Sequence, residues 1–243
     1  MAQIPNPFSE FLREPNLLIP GRKPVGPVKI DPNYTQPLYL NIPGVNPGRV
    51  SDNSGWDSDI VVNVGEYGIR VLTPNNNTWG AGLNINSGDA IASTSGSYTF
   101  EYLVRFTSES AATDYFLDVL TGRLIIGARN QFFTINDGGW RTSSISKENN
   151  KLTHIFYVLD GANSIWNLYV NKDWVYSEEE SVAEYTSKNI GGTTRLFSRY
   201  FYSGAGQSLQ NASLYMCAIY ESMMPKAEIK SRLADPYQFL IPA

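Results

Sequence analysis

KLTHIFYVLDGANSIWNLYVNKDWVYS, residues 151–177, sets two strongly apolar runs on either side of one short polar break. In an extended chain Leu152, His154, Phe156 and Val158 fall on one face, and Ile155, Tyr157 and Leu159 on the other. Both faces are largely apolar, so the spacing predicts a strand covered on both sides by packed layers. Asp160-Gly161-Ala162-Asn163-Ser164 supplies residues that tolerate left-handed backbone and cap their own amides, a loop suited to a hairpin. Ile165 to Val170 runs back. Asn171-Lys172-Asp173 then makes a tight turn before Trp174-Val175-Tyr176, giving a three-stranded meander.

Outward from this hairpin the same signals recur. Tyr98 to Phe106 alternates cleanly, with Tyr98, Phe100, Tyr102, Val104 and Phe106 inward and Thr99, Glu101 and Arg105 outward, which predicts one buried and one wet face. Further strands are expected at 60–64, 69–72, 79–85, 115–120, 123–129 and 131–135, separated by Gly- and Asn-rich turns, and after the hairpin at 194–202 and 212–221. The last of these places Ala212, Leu214, Met216, Ala218 and Tyr220 together. One helix of about two turns follows, with Pro225 at an early helical position, Ser222 as cap, and Ile229 and Leu233 four apart on one face. Short strands at regular spacing predict an all-β antiparallel sandwich of two sheets.

Composition narrows the function classes. The chain has 243 residues, is 42% hydrophobic and carries only 17% charged residues, against about 25% in an average soluble protein. A net charge of -4 and no Lys/Arg run remove the basic footprint of a nucleic-acid binder. The single cysteine, Cys217, permits no internal disulfide and fits folding in a reducing compartment. No basic-then-apolar leader pattern and no apolar run near 18 residues occur, so neither secretion nor membrane spanning is expected.

Ten of the 14 prolines lie between Pro5 and Pro47, where they block helix and central strand alike. Residues 1–47 therefore read as an extended arm, and 48–243 as the sandwich. The arm still carries Phe8, Phe11, Leu17, Leu18 and Ile19, more apolar surface than a solvated linker tolerates. It either lies on a neighbouring subunit or folds back on its own domain. Leu17-Leu18-Ile19 before Pro20-Gly21 suits a short edge strand that augments a neighbour's sheet; Phe8 and Phe11 share one face of a helical turn.

The candidate chemistry is sparse. Glu178-Glu179-Glu180 are consecutive, so neighbours point to opposite faces of an extended chain, and a solvated turn accounts for them. His154 is the only histidine. That excludes multi-histidine metal sites, and a lone histidine on an apolar strand face is ordinarily a satisfied packing residue. Cys217 within an apolar strand behaves as a small hydrophobe. Asp52, Asn53, Asp57 and Asp59 cluster ahead of a strand and could offer hard oxygen donors to Ca²⁺, but no bidentate Glu follows at EF-hand distance and an ordinary Asx-turn loop is the favoured reading. Trp79, Trp140 and Trp174 adjoin turns, placed either to stack on sugar rings from a rim or to close the core. No metal or other cofactor is expected.

Three stretches carry a family resemblance. Ser97–Phe106 (SYTFEYLVRF), the hairpin Leu152–Val175, and Leu209–Leu233 (LQNASLYMCAIYESMMPKAEIKSRL) resemble the concanavalin A-like lectin/glucanase superfamily, specifically its laminin-G-like jelly rolls. Departures are Thr153 and Lys172 in the hairpin, where the family usually has a hydrophobic residue and Gly, and Asn211-Ala212 in place of a usual Gly. The retaining glucanases of that superfamily use an E-x-D-x-x-E strand, because their two carboxylates must lie about 5 to 5.5 Å apart; this sequence has none. A narrower stretch, LLIPGRKPVGPVKID at Leu17–Asp31 with DPYQFLIP at Asp235–Pro242, resembles laminin-G-like proteins of bacteriophage and prophage genomes. The resemblance implies a non-enzymatic virion structural protein, a capsid decoration or tail component made in the host cytoplasm and anchored by its arm. Expected partners are capsid or tail subunits and further copies of the chain. The alternative is a carbohydrate-binding module for host-surface attachment, with a glycan as partner.

Overall fold

The computed structural model describes residues 28–42, 61–65, 68–72, 83–85, 96–106, 113–119, 124–173, 176–186, 194–196 and 212–242. In chain order the strands among them are β1 (Val28–Ile30), β2 (Tyr39–Asn41), β3 (Val61–Gly65), β4 (Gly68–Leu72), β5 (Leu83–Ile85), β6 (Tyr98–Phe106), β7 (Asp114–Val119) and β8 (Leu124–Arg129). They continue as β9 (Phe132–Asn136), β10 (Trp140–Ser146), β11 (Leu152–Asp160), β12 (Ile165–Lys172), β13 (Tyr176–Ala183), β14 (Thr194–Leu196) and β15 (Ala212–Tyr220). One helix, α1 (Lys226–Ala234), precedes β16 (Leu240–Pro242).

The strands make an antiparallel β-sandwich, the fold class that the hairpin and strand spacing predict. One sheet runs β13-β12-β11-β6-β15-β4-β3, with β2 added on β15; the other runs β10-β9-β8-β7-β14-β5. The hairpin is central: β11 pairs with β12 from Thr153↔Lys172 to Asp160↔Ile165 and with β6 from Leu152↔Arg105 to Leu159↔Tyr98. All nine residues of β11 are buried. Its loop closes as its chemistry requires, with the Asp160 carboxylate accepting from the amides of Ala162 (3.1 Å) and Asn163 (3.0 Å) and Ser164 at φ 56°. The Asn163 side-chain hydrogen bond and these amides hold the Asp160 carboxyl below its usual range.

Phe100, Tyr102, Ile155, Tyr157 and Trp166 meet Phe116, Ile126 and Phe133 between the sheets. A second apolar cluster lies on the outer face of the larger sheet, where Phe156, Met216 and Tyr220 are covered by Ile229 and Leu233 of α1 and by Leu40, Ile42 and Phe239. This cover corrects the expectation of a wet outer face on β6, since Thr99, Glu101 and Leu103 are all 0% exposed. The chain returns over them. Thr99 Oγ1 donates to the Ser222 carbonyl and accepts from the Met224 amide, each at 2.8 Å.

Four further expectations change. Ser222 is not the helix cap: the N-cap is Pro225, with no side-chain cap bond. Glu178–Glu180 are not a turn but lie inside β13, an edge strand where charge is tolerated; Glu178 pairs with Lys172 (2.7 Å), Glu179 with Lys226, and Glu180 accepts from Ser144 N (2.7 Å) and Oγ (2.9 Å) on the facing sheet edge. In β15 a register shift between Leu214 and Met216 turns Leu214 into the inter-sheet core while Met216 faces the helix. Finally, part of the arm is built into the body. β1 pairs with β16, β2 pairs with β15, and Tyr39, Leu40 and Ile42 are buried. For residues 28–42 the fold-back alternative holds, while Phe8, Phe11, Leu17, Leu18 and Ile19 lie outside the described residues.

Candidate functional site

Two groupings of chemistry-bearing side chains stand out, one sealed and one open. The sealed one is beneath α1. Glu101 of β6 accepts from His154 of β11 at 2.8 Å through one carboxylate oxygen. Its other oxygen accepts from Tyr220 Oη at 2.8 Å and from Arg232 of α1. All four residues are fully buried. Arg232 also lies over the Phe239 ring at 3.8 Å and reaches Glu228 at 3.5 Å, and Glu228 in turn binds Thr35. Burial alone would raise the Glu101 carboxyl, but the Arg232 charge and the His154 and Tyr220 hydrogen bonds outweigh it and hold it below its usual range. Burial depresses His154, more than its bond to Glu101 restores, which favours the neutral ring. The arrangement is a carboxylate compensated by one cation and two hydrogen bonds, closed to solvent. Chemically it fastens the C-terminal helix to the sheet.

The open grouping is on the outer face of the smaller sheet, at β8–β10. Directly opposed residues share a face, so the pairs Arg129↔Phe132, Gly127↔Thr134↔Thr142 and Asn136↔Trp140 lie opposite the core residues Ala128, Phe133 and Ile135; Thr134 and Ile125 on this face are themselves buried, and it is open only around Arg129, Phe132, Asn136, Trp140 and Thr142. Trp140 is half-buried and the Arg129 guanidinium stacks on its ring, 4.8 Å from the centroid. Phe132 is 39% exposed and Thr142 is exposed. Between them Gly127 is required because the Asp114 carbonyl stands 2.1 Å from where its Cβ would be. This face thus carries accessible aromatic surface together with a guanidinium, a hydroxyl and a side-chain amide, groups able to contact a polar ligand.

Of the tryptophans expected to stack on sugar, only Trp140 is described, and it sits on this face; Trp79 and Trp174 lie outside the described residues. So do Asp52, Asp57 and Asp59, and among the described residues no group of three His, Cys, Asp or Glu is placed to hold a metal. Arg129 and Phe132 were not singled out by sequence. The signal was present as their positions on either side of the Asn130-Gln131 turn, both at positive φ, which forces Arg129 and Phe132 into direct opposition.

No protein-family model matches the chain, and no curated protein matches it. Among solved structures the chain is similar to Domain 4 of AbnA, a GH43 extracellular arabinanase from Geobacillus stearothermophilus solved with arabinotriose, at TM-score 0.47 and 14% identity over 74% of this chain and 82% of that one. It is similar to the binding domain of botulinum neurotoxin DC in complex with rat synaptotagmin II, at TM-score 0.44 and 12% identity over 63% of this chain and 39% of that one. A third is Trypanosoma rangeli sialidase, at TM-score 0.44 and 12% identity over 71% and 28%. At such low identity nothing about ligands transfers to this chain. The bacteriophage side of the sequence resemblance finds no counterpart among these three.

Proposed function

We propose that this protein is a non-enzymatic recognition module that binds a glycan on the outer face of β8–β10. The observation that carries the reading is the Trp140–Arg129–Phe132 shelf, aromatic surface left accessible beside hydrogen-bonding groups. Aromatic faces stack on the C–H face of a sugar, while hydroxyls and guanidinium satisfy its oxygens. Trp140→Ala is expected to weaken binding about tenfold, from roughly 1 to 1.5 kcal/mol of stacking, with the thermal midpoint little changed. Titration calorimetry on a hit from a glycan array measures it. Absence of binding to any sugar at millimolar concentration removes the reading.

A second reading is favoured by the sequence of residues 1–27, whose mix of prolines and large apolar side chains suits docking on another protein. In it the protein is a virion component, in capsid or tail, made in the host cytoplasm. The two readings combine if the arm anchors and the sandwich recognises.

A further inference from the structure

We infer that the ligand of the β8–β10 face is an acidic glycan, bound through a ring carboxylate by Arg129; this rests on the glycan reading above. The warrant is the state of that guanidinium. Elsewhere among the described residues Arg105 bonds Tyr215, Arg141 bonds the Glu184 carbonyl at 3.2 Å and its carboxylate at 3.5 Å, and Arg232 binds Glu101. Arg129 has the Trp140 ring and, among the described residues, no hydrogen bond or carboxylate. Stacking occupies the flat face of a guanidinium and leaves its in-plane N–H donors pointing outward, the geometry that takes a carboxylate through two parallel bonds.

Nearby acids are already engaged. Glu180 accepts from Ser144, Glu184 holds Arg141, and Asp137 accepts from the Thr186 amide. Asp118 of β7 shares this face with Trp140, but it is 0% exposed, so among the described residues Arg129 is the accessible cation of the face and no carboxylate is paired with it. Phe132, on the same face, offers an exposed ring. A sugar resting on the aromatic surface beside Arg129 would bring a carboxylate on a ring carbon to the guanidinium edge. The chain's net charge of -4 opposes anions at long range. Screening damps that repulsion beyond about 8 Å at physiological salt, so the selectivity must be local to Arg129.

Hexuronates and nonulosonic acids both carry such a carboxylate, and two ligand pairs separate them: tetragalacturonate against its methyl ester, and 3′-sialyllactose against lactose. The full chain should bind at least one acidic member about tenfold or more tighter than its neutral partner. Arg129→Gln should abolish that preference, and Arg129→Lys, which keeps the charge but loses the fork, should retain only part of it. The ester and lactose arms test the carboxylate on the ligand side, so the result does not depend on how a variant folds. Equal affinity within both pairs, or a preference that survives in a folded Arg129→Gln, overturns the inference. If neutral sugars bind through Trp140 while acidic ones gain nothing, the acidic assignment fails and the glycan reading stands. If nothing in either pair or on an array binds, both fail.

Discussion

Gly127 shows how little freedom single positions have in this sandwich. The bulge in β7, where the register shifts between Tyr115 and Leu117, pushes the Asp114 carbonyl into the space a side chain at 127 would need. The obstruction is backbone, so it cannot swing aside. From the other sheet, Tyr157 Oη donates to the Gly127 carbonyl at 2.7 Å across the core, its phenol pushed well above the usual range by burial. Gly127→Ala should therefore cost at least the roughly 1 to 3 kcal/mol of overpacking. Tyr157→Phe strips a buried carbonyl of its donor and should cost about 1 to 3 kcal/mol. Urea unfolding reads both, and a Gly127→Ala protein as stable as the parent would show that the strand relaxes around the bulge. Arg232→Met is a harsher change because it leaves Glu101 charged and buried. A loss of about 3 to 5 kcal/mol is expected.

The helix and the strands beneath it are expected to respond to pH as one element. His154 bonds Glu101 of β6 and feels the charge of Arg232 from α1, and that carboxylate is shared with Tyr220 of β15 and Arg232; protonating His154 places a second cation beside Arg232 with one carboxylate to share. Its folded pKa lies below the unfolded value of 6.5, so the unfolded chain takes up the proton first. Stability from this group is complete above about pH 7 and falls as pH drops below 6.5, at up to about 1.4 kcal/mol per pH unit until the folded pKa is reached. Glu101, also lowered from 4.5, adds a second loss below that value. The urea midpoint should decline between pH 6.5 and 4.5 in the parent and stay nearly level over that window in His154→Gln. An equal decline in both would place the acid sensitivity elsewhere. The elements themselves differ in how plainly the sequence announces them. β11 and β12 are legible because two packed faces demand apolar residues at nearly every position. β10, WRTSSIS, escaped the reading: an edge strand needs to bury only alternate residues such as Ser143 and Ile145, and its polar composition looks like loop.

At the scale of the whole molecule, the larger sheet is covered by two pieces of chain far apart in sequence. Residues 28–42 and α1–β16 are laced together by Asp31 N to the Phe239 carbonyl (2.8 Å), Tyr34 Oη to Gln238 (3.2 Å) and Thr35 to Glu228 (2.6 Å). No local pattern reveals such a cover, because each piece on its own is short, Pro-rich or only two turns long; this is why the outer face of β6 read as wet. The Arg129–Trp140 stack was equally hidden, depending on pairing across three strands. The lacing makes residues 28–42 part of what stabilises the sandwich, and truncation asks whether residues 1–27 share that role. Removing residues 1–42 takes away Leu40 and Ile42, 0% and 1% exposed, each contributing roughly 1.5 to 3 kcal/mol. With native stabilities of about 5 to 15 kcal/mol, that protein should be severely destabilised. If residues 1–27 dock on another protein, as their prolines and large apolar side chains suggest, removing them should leave the melting temperature within a degree or two of the parent. If the arm docks on a particle, the 1–27 deletion and the full-length variants Phe11→Asp and Leu18→Asp should all lose occupancy on assembled particles while remaining folded. A 1–27 deletion that instead lowers stability by several kcal/mol would mean that Phe8, Phe11 and Leu17 to Ile19 pack on their own domain, and the docking reading would fall with it.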